Sequence, residues 1–162
     1  MTVDTLINND DLKFIRRSNE VAQRARDKGN HPFGALLVDE QGNILLEAEN
    51  TVITERDCTG HAETNLLREA CKKYTAEFLA KCTLYASTEP CPMCAGAIFW
   101  SNIRRVVFGL SEDSLYNMVG QQSNEVLRLP CRELLNKGRK SIVVIGPVLE
   151  NEARLVHKAF WV

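Results

Sequence analysis

The sequence predicts an α/β protein whose sheet is parallel in part. Through its middle, "HAETNLLREACKKY", "KCTLYAST", "CPMCAGAIFWSN" and "RRVVFGL" alternate helical and strand-like apolar patterns, the mark of a βαβ unit. Before them, "PFGALLVDEQGNILLEAEN" reads as two strands around a turn, which adds an antiparallel hairpin. The length of 162 residues suits one domain, 1–162, and no internal repeat, linker or low-complexity stretch divides it.

From the N-terminus, residues 11–27 place Leu12, Ile15, Ala22 and Ala25 in a helical pattern closed by "KGN". Strands over 33–38 and 44–48 follow, joined at "DEQGN". Ala62, Leu66, Leu67 and Ala70 keep helical spacing, "KCTLYAST" is a short apolar strand, and the small-residue helix from Cys91 leads into the strand "RRVVFGL". "SEDSLYNMVGQQSN" has no clear period and reads as a surface loop or a short helical piece. "EVLRLPCRELLNKG" reads as a helix interrupted by Pro130. "KSIVVIGPV" is a strand and "LENEARLVHKAFWV" a terminal helix, with His157 on its exposed side. His31, beside Pro32, is a loop residue.

Composition narrows the function. Twenty basic residues against 21 acidic give a net charge of −1, so no strong field favours a long phosphate backbone, and a small substrate is expected. Lys137, Arg139 and Lys140 form only a small basic cluster, read as a solvated turn. Asp4, Asp10 and Asp11 stand where a signal peptide would be basic and then apolar, and no stretch has transmembrane length. A cytoplasmic protein with no membrane partner is expected. In that compartment the six cysteines predict no disulfide framework, and Cys58, Cys71, Cys82 and Cys131 read as small core residues.

The remaining two cysteines carry chemistry. "EPCPMC" places Cys91 and Cys94 three apart behind Pro90, and "GHAE" places His61 and Glu63 thirty positions before Cys91. Together they match H-x-E…P-C-x-x-C, a known zinc deaminase signature. Replacing a ring amine by a carbonyl needs hydroxide at neutral pH, and zinc lowers the pKa of a bound water from about 15.7 to about 7. His61, Cys91 and Cys94 are three ligands, which leaves a position for that water. Glu63 is then free to take a proton from water and deliver protons to a ring nitrogen and the leaving ammonia. Positions i and i+2 of a regular helix diverge, so His61 and Glu63 converge only through the geometry of a helix end. Two other readings compete. A thiol-disulfide site leaves His61 and Glu63 unexplained. A structural four-ligand zinc site needs Cys58 or Cys82 to close it.

With "PFGALLV", "AENTV", "GHAETNLLREA" and "STEPCPMCAGAIFWSNIRRVVFGL", the chain resembles the cytidine deaminase superfamily, within it the purine-base and tRNA-adenosine branch. The resemblance implies a three-layer α/β/α fold with a central mixed five-stranded sheet flanked by helices, one zinc per chain, and a homodimer. It implies that Asn50 hydrogen-bonds the substrate ring, that Phe33 forms an apolar wall, and that the backbone around Ala62 borders the ring. Trp100, Phe160 and Trp161 resemble the aromatic residues that close over a flat base in guanine deaminases, although each ring taken alone reads as a core or interface aromatic. Gln121 or Gln122 falls where bacterial guanine enzymes have a loop aspartate, and Asp113 is taken as the acidic candidate in its place. The expected activity is hydrolytic deamination of guanine or a related free base or nucleoside. Deamination of a tRNA wobble adenosine is the alternative.

Overall fold

The computed structural model describes residues 6–120 and 122–161; Gln121, one of the two glutamines set against the loop aspartate, lies outside them. Helix α1 (Asn9–Asp27) opens on a capping box: the Asn8 side chain accepts from the Asp11 N–H while the Asp11 carboxylate accepts from the Asn8 N–H. β1 (Gly34–Val38) and β2 (Ile44–Glu49) form the expected hairpin. There follow α2 (Ala62–Lys73), a single turn α3 (Ala76–Leu79) capped by Thr75, β3 (Thr83–Thr88), α4 (Pro92–Ser101) and β4 (Arg105–Leu110). α5 (Glu112–Val119), α6 (Cys131–Leu135), β5 (Val143–Ile145) and α7 (Glu150–Leu155) complete the chain.

The strands lie in the order β2-β1-β3-β4-β5, with β1 antiparallel to β2 and β3, and β3, β4 and β5 parallel. Strand alternation divides the core. Leu36, Tyr85, Val107 and Ile145 are in register across one face, covered by α1, while Leu37, Leu84, Val106 and Val144 face the other way, toward α2 and α4. This is the mixed five-stranded sheet between helices that the resemblance implies. A Cβ on Gly34 would sit 2.6 Å from the Ala22 nitrogen and 2.7 Å from the Ser18 oxygen, so glycine is what lets α1 cross directly over the start of β1.

A buried ion pair fixes that crossing. Asp11 is fully buried and accepts two bonds of 2.8 Å from Arg105 and one of 2.6 Å from the Tyr85 hydroxyl, tying α1 to β3 and β4. Burial opposes its ionisation, but Arg105, Tyr85 and the Asn8 N–H together outweigh burial and hold the carboxyl below its ordinary range. Because the folded pKa is the lower one, this stabilisation is present above the unfolded value of about 3.9 and is lost as pH falls through the folded value. Asp11→Ala leaves Arg105 without its partner and is expected to destabilise the fold by about 3 kcal/mol at pH 7 in urea unfolding. A loss below about 1 kcal/mol would contradict this account of the network.

Several sequence expectations need correction. Of the two readings of the stretch after β4, the surface loop falls and the short helical piece stands, as α5, which buries Glu112 and Tyr116. The helix expected over 125–138 begins only after Pro130, because proline has no N–H to give and restricts Leu129 before it. α7 ends at Leu155, and the chain then turns inward, with Ala159 at φ 59°, so His157 is 2% exposed instead of lying on the surface. Cys82 and Cys131 are buried as expected, but Cys58 sits exposed in the loop before α2 and Cys71 on the outer side of α2, next to the buried Ala70. Lys137 and Arg139 are exposed, as a solvated turn should be, but Lys140 is not: it is half-buried, its Nζ donating to the Phe99 carbonyl at 2.7 Å and lying over the Phe99 ring. Among the described residues no helix is long and apolar enough to cross a membrane.

Candidate active site

Two helix starts form the centre of the site. Cys91 is the N-cap of α4 in extended conformation (φ −66°, ψ 169°), Pro92 opens the helix, and Cys94 follows on its first turn. His61 is likewise the extended N-cap of α2 (φ −71°, ψ 155°), with Glu63 in that helix's first turn. The extended backbone at His61 is the end-of-helix geometry that lets a residue and its i+2 neighbour converge. α2 and α4 pack against each other, which brings the two starts together.

His61 Nδ1 lies 3.5 Å from the sulfur of Cys91 and 3.5 Å from that of Cys94, and the three donor atoms are all within 4.8 Å of one another. A tetrahedral zinc with Zn–S of about 2.3 Å and Zn–N of about 2.0 Å sets the N···S separation at about 3.5 Å, so the donor set fits that ion. The Cys91 thiol is drawn down to about 4, first by the Cys94 thiol and then by His61, whereas Cys94 is pushed up by the Cys91 sulfur beside it and by burial. Two thiolates this close repel, and a divalent cation removes that penalty. Cys82 points its sulfur at the Phe78 carbonyl, and Cys58 does not join the His61–Cys91–Cys94 group, so no fourth protein ligand closes it among the described residues.

Beside this group opens a cavity of about 530 Å³, at the C-terminal ends of the parallel strands β3 and β4. Glu63, 5% exposed, lines it, and burial pushes its carboxyl above the ordinary glutamate range. That suits a group that must hold a proton as well as accept one. Asn50 is 1% exposed; its Oδ1 accepts from the Val52 N–H at 3.1 Å, which leaves the Nδ2 hydrogens to offer a ligand. The asparagine is thus both the turn residue that its position after β2 suggests and part of the cavity wall.

The far wall is aromatic. Trp161 lines the cavity, its ring centroid 6.1 Å from Phe33 and 5.6 Å from His31. Its Nε1 donates to His157 Nδ1 at 3.0 Å, and the two ring planes lie within 16° of parallel, side by side with centroids 6.1 Å apart. With Nδ1 accepting, the His157 proton resides on Nε2, which faces the Thr88 hydroxyl at 3.4 Å. Burial, with Arg26 nearby, pushes His157 down to about 4 and keeps it neutral. Phe160 packs edge-on against Trp161 and His31 behind this wall. Ala62 is fully buried in the core. Trp100 is not brought to the site: it is 80% exposed and lies against Phe99, because Cys94, Ala95 and Ile98 form the buried side of α4 and a residue two beyond Ile98 points away.

Glu112, Tyr116 and His31 line the cavity although sequence reasoning gave them no role. A signal for the first two was present: Ser111 followed by Glu112 and Asp113 is a helix N-terminus, and it places Glu112 and Tyr116 four apart on one side. Asp113, the acidic residue singled out from sequence, points outward and pairs with Arg128.

Comparison with known proteins agrees with this geometry. The family described as the cytidine and deoxycytidylate deaminase zinc-binding region matches residues 8–110. The chain is 46% identical over 159 residues to the "Probable cytosine deaminase" of Schizosaccharomyces pombe, covering 97% of this chain and 96% of that protein. It is 43% identical to the guanine deaminase of Bacillus subtilis over 96 residues, 59% of this chain and 61% of that one. A solved structure from studies of A-to-I editing by tRNA:A34 deaminases superposes with a TM-score of 0.70 at 26% identity, covering 89% of this chain and 98% of that one. The chain belongs to the cytidine and deoxycytidylate deaminase zinc-binding family and is a zinc-dependent hydrolytic deaminase.

Proposed function

We propose that the enzyme removes the ring amine of a free nucleobase, cytosine ahead of guanine, and that His61, Cys91 and Cys94 hold its zinc. The observation that carries the small-base reading is the Trp161–Phe33–His31 wall closing a cavity of about 530 Å³ beside the His61–Cys91–Cys94 group. A flat base buries both faces between such walls. End-to-end similarity to a relative named for cytosine supports placing that base first.

Zinc held there supplies Lewis acidity that makes water an effective nucleophile at neutral pH. The chain's own groups do the rest. A Glu63 carboxylate oxygen takes a proton from the attacking water, passes it to the ring nitrogen beside the amine, and carries the next to the departing nitrogen. The water oxygen stays as the ring carbonyl and the amine leaves as ammonia. Asn50 orients the ring through Nδ2, and Phe33 and Trp161 exclude water, which strengthens every polar contact inside. Phe160 and His157 act through Trp161, as positioning residues.

Asn50→Asp keeps an oxygen for the Val52 N–H but removes the Nδ2 donors. Steady-state kinetics should show kcat/KM lowered by roughly tenfold or more with zinc content and fold intact, since an unpaired buried partner costs about 1–3 kcal/mol. Loss of zinc or of folding would make Asn50 a turn residue only. The substrate reading is tested by ammonia release from cytosine, guanine, adenine, cytidine, guanosine and a tRNA anticodon loop. Cytosine is expected to lead. Preference for the anticodon loop would replace this proposal with tRNA adenosine deamination.

A further inference from the structure

Trp161 reaches the cavity because the chain turns inward after α7, and that turn is held from outside. Its own backbone bonds use the carbonyls of Arg154, Leu155 and His157, which accept from the N–H groups of His157, Lys158 and Phe160. Ala159 stands at φ 59°, a left-handed conformation that a residue with a Cβ keeps only where its surroundings fix it. The carbonyls of Val156 and Lys158 are taken by a side chain of another element. Arg26, half-buried on the last turn of α1, donates Nη1 to the Val156 oxygen at 2.7 Å and to the Lys158 oxygen at 2.8 Å, and its guanidinium carbon lies 5.5 Å from the centre of the Phe160 ring. The other arginines of that helix work differently: Arg16, Arg17 and Arg24 pair with the carboxylates of Glu152, Glu47 and Glu49.

We infer that Arg26 is a positioning residue for the deamination site, whose guanidinium holds the C-terminal turn against α1 and so seats Trp161 in the wall against which the flat base packs. The inference rests on the small-base reading of the site. Arg26 does not line the cavity, so it acts through Trp161 and not on the substrate.

The surroundings give one side chain this reach. α1 runs on past Arg26 into the loop that carries His31, whose ring centroid is 5.6 Å from Trp161 and 5.9 Å from Phe160, so one helix end supports both sides of the aromatic wall. Burial first, and the Arg26 charge second, keep His157 neutral, and its Nδ1 is thereby open to accept from the Trp161 N–H. A planar guanidinium serves two carbonyls and a ring face at once, which an ammonium on a shorter stem does not. Without it two oxygens at the helix end lose their partner, nothing holds Ala159 in its left-handed conformation, and the indole two residues further on shifts with the turn.

The test compares the zinc-loaded wild type with Arg26→Met and Arg26→Lys, following cytosine deamination, zinc content and thermal unfolding. Arg26→Met should raise KM roughly fivefold or more with kcat within about threefold and zinc retained, and Arg26→Lys should lie between the two. In a Trp161→Ala background the same Arg26→Met change should raise KM by less than about twofold, because the ring it positions is gone. The chain has two tryptophans, so in a Trp100→Phe background the emission reports Trp161 alone, and Arg26→Met should move it to longer wavelength with no substrate present. If the methionine variant does not fold, the lysine variant decides by the same readouts. Unchanged KM and unchanged emission in the folded variants, or an Arg26 effect that adds in full to that of Trp161→Ala, overturns the role of Arg26 and leaves the small-base reading standing. A shifted emission in an enzyme that prefers a tRNA anticodon loop to every free base keeps Arg26 as the support of Trp161 and overturns the base-packing part of the inference together with the small-base reading.

Discussion

Glu63→Ala is expected to lower turnover by about a hundredfold to ten-thousandfold while the protein keeps its zinc and its fold, the range for losing a general acid–base group. The structure separates this residue's work from that of its neighbours. Glu63 lines the cavity and is not among the His61–Cys91–Cys94 donors, and it lies in the first turn of α2 beyond the extended His61 cap. Removing its carboxylate therefore deletes a proton carrier, and a hydrogen-bond partner of the Cys94 thiol, while all three donor side chains stay in the protein. Glu63→Gln, which keeps the shape and loses the titratable group, should fall equally far. Metal analysis beside steady-state kinetics checks both. A variant retaining most of its activity would exclude the proton-carrying role, and one that loses zinc would make Glu63 a structural support of the site.

The second large effect is expected at Cys94. Its side chain is fully buried, 3.5 Å from His61 Nδ1, and Cys94→Ala leaves one thiolate and one imidazole to hold the metal. Zinc per chain should fall to near zero after dialysis and activity should fall to background. The melting temperature should drop as well, since a ligand bound only by the folded state stabilises it. Chelation of the wild type should reproduce the effect, and added zinc should reverse it. Activity persisting at near-zero metal would contradict the assignment.

The centre of this site was legible in the sequence because its chemistry is carried by residue type at short spacing. Two thiols three apart behind a proline, and an imidazole two before a carboxylate, are patterns that survive without any knowledge of packing. What spacing does not carry is which way a side chain turns. Trp100 shares a helix with Cys94 yet faces out at 80% exposure, and only the register of the helix against the sheet decides that. His157 reads as exposed if the last helix runs on; it is buried because the chain turns in after Leu155. α5 lacks a strong apolar period because one of its inward positions is a carboxyl, Glu112, and a hydrophobic pattern cannot report a polar residue buried against a cavity. The sheet, by contrast, follows from the central apolar runs and the hairpin turn, and only the short edge strand β5 is overestimated in length.

The most direct test of the central claim is the deamination of cytosine by the zinc-loaded enzyme in water enriched with oxygen-18. The account predicts one ammonia for each uracil formed, with the heavy oxygen in the new C4 carbonyl, and loss of both products when zinc is removed. Failure of the zinc-loaded protein to release ammonia from cytosine or any other aminated base, or uracil formed without the heavy oxygen, would contradict it.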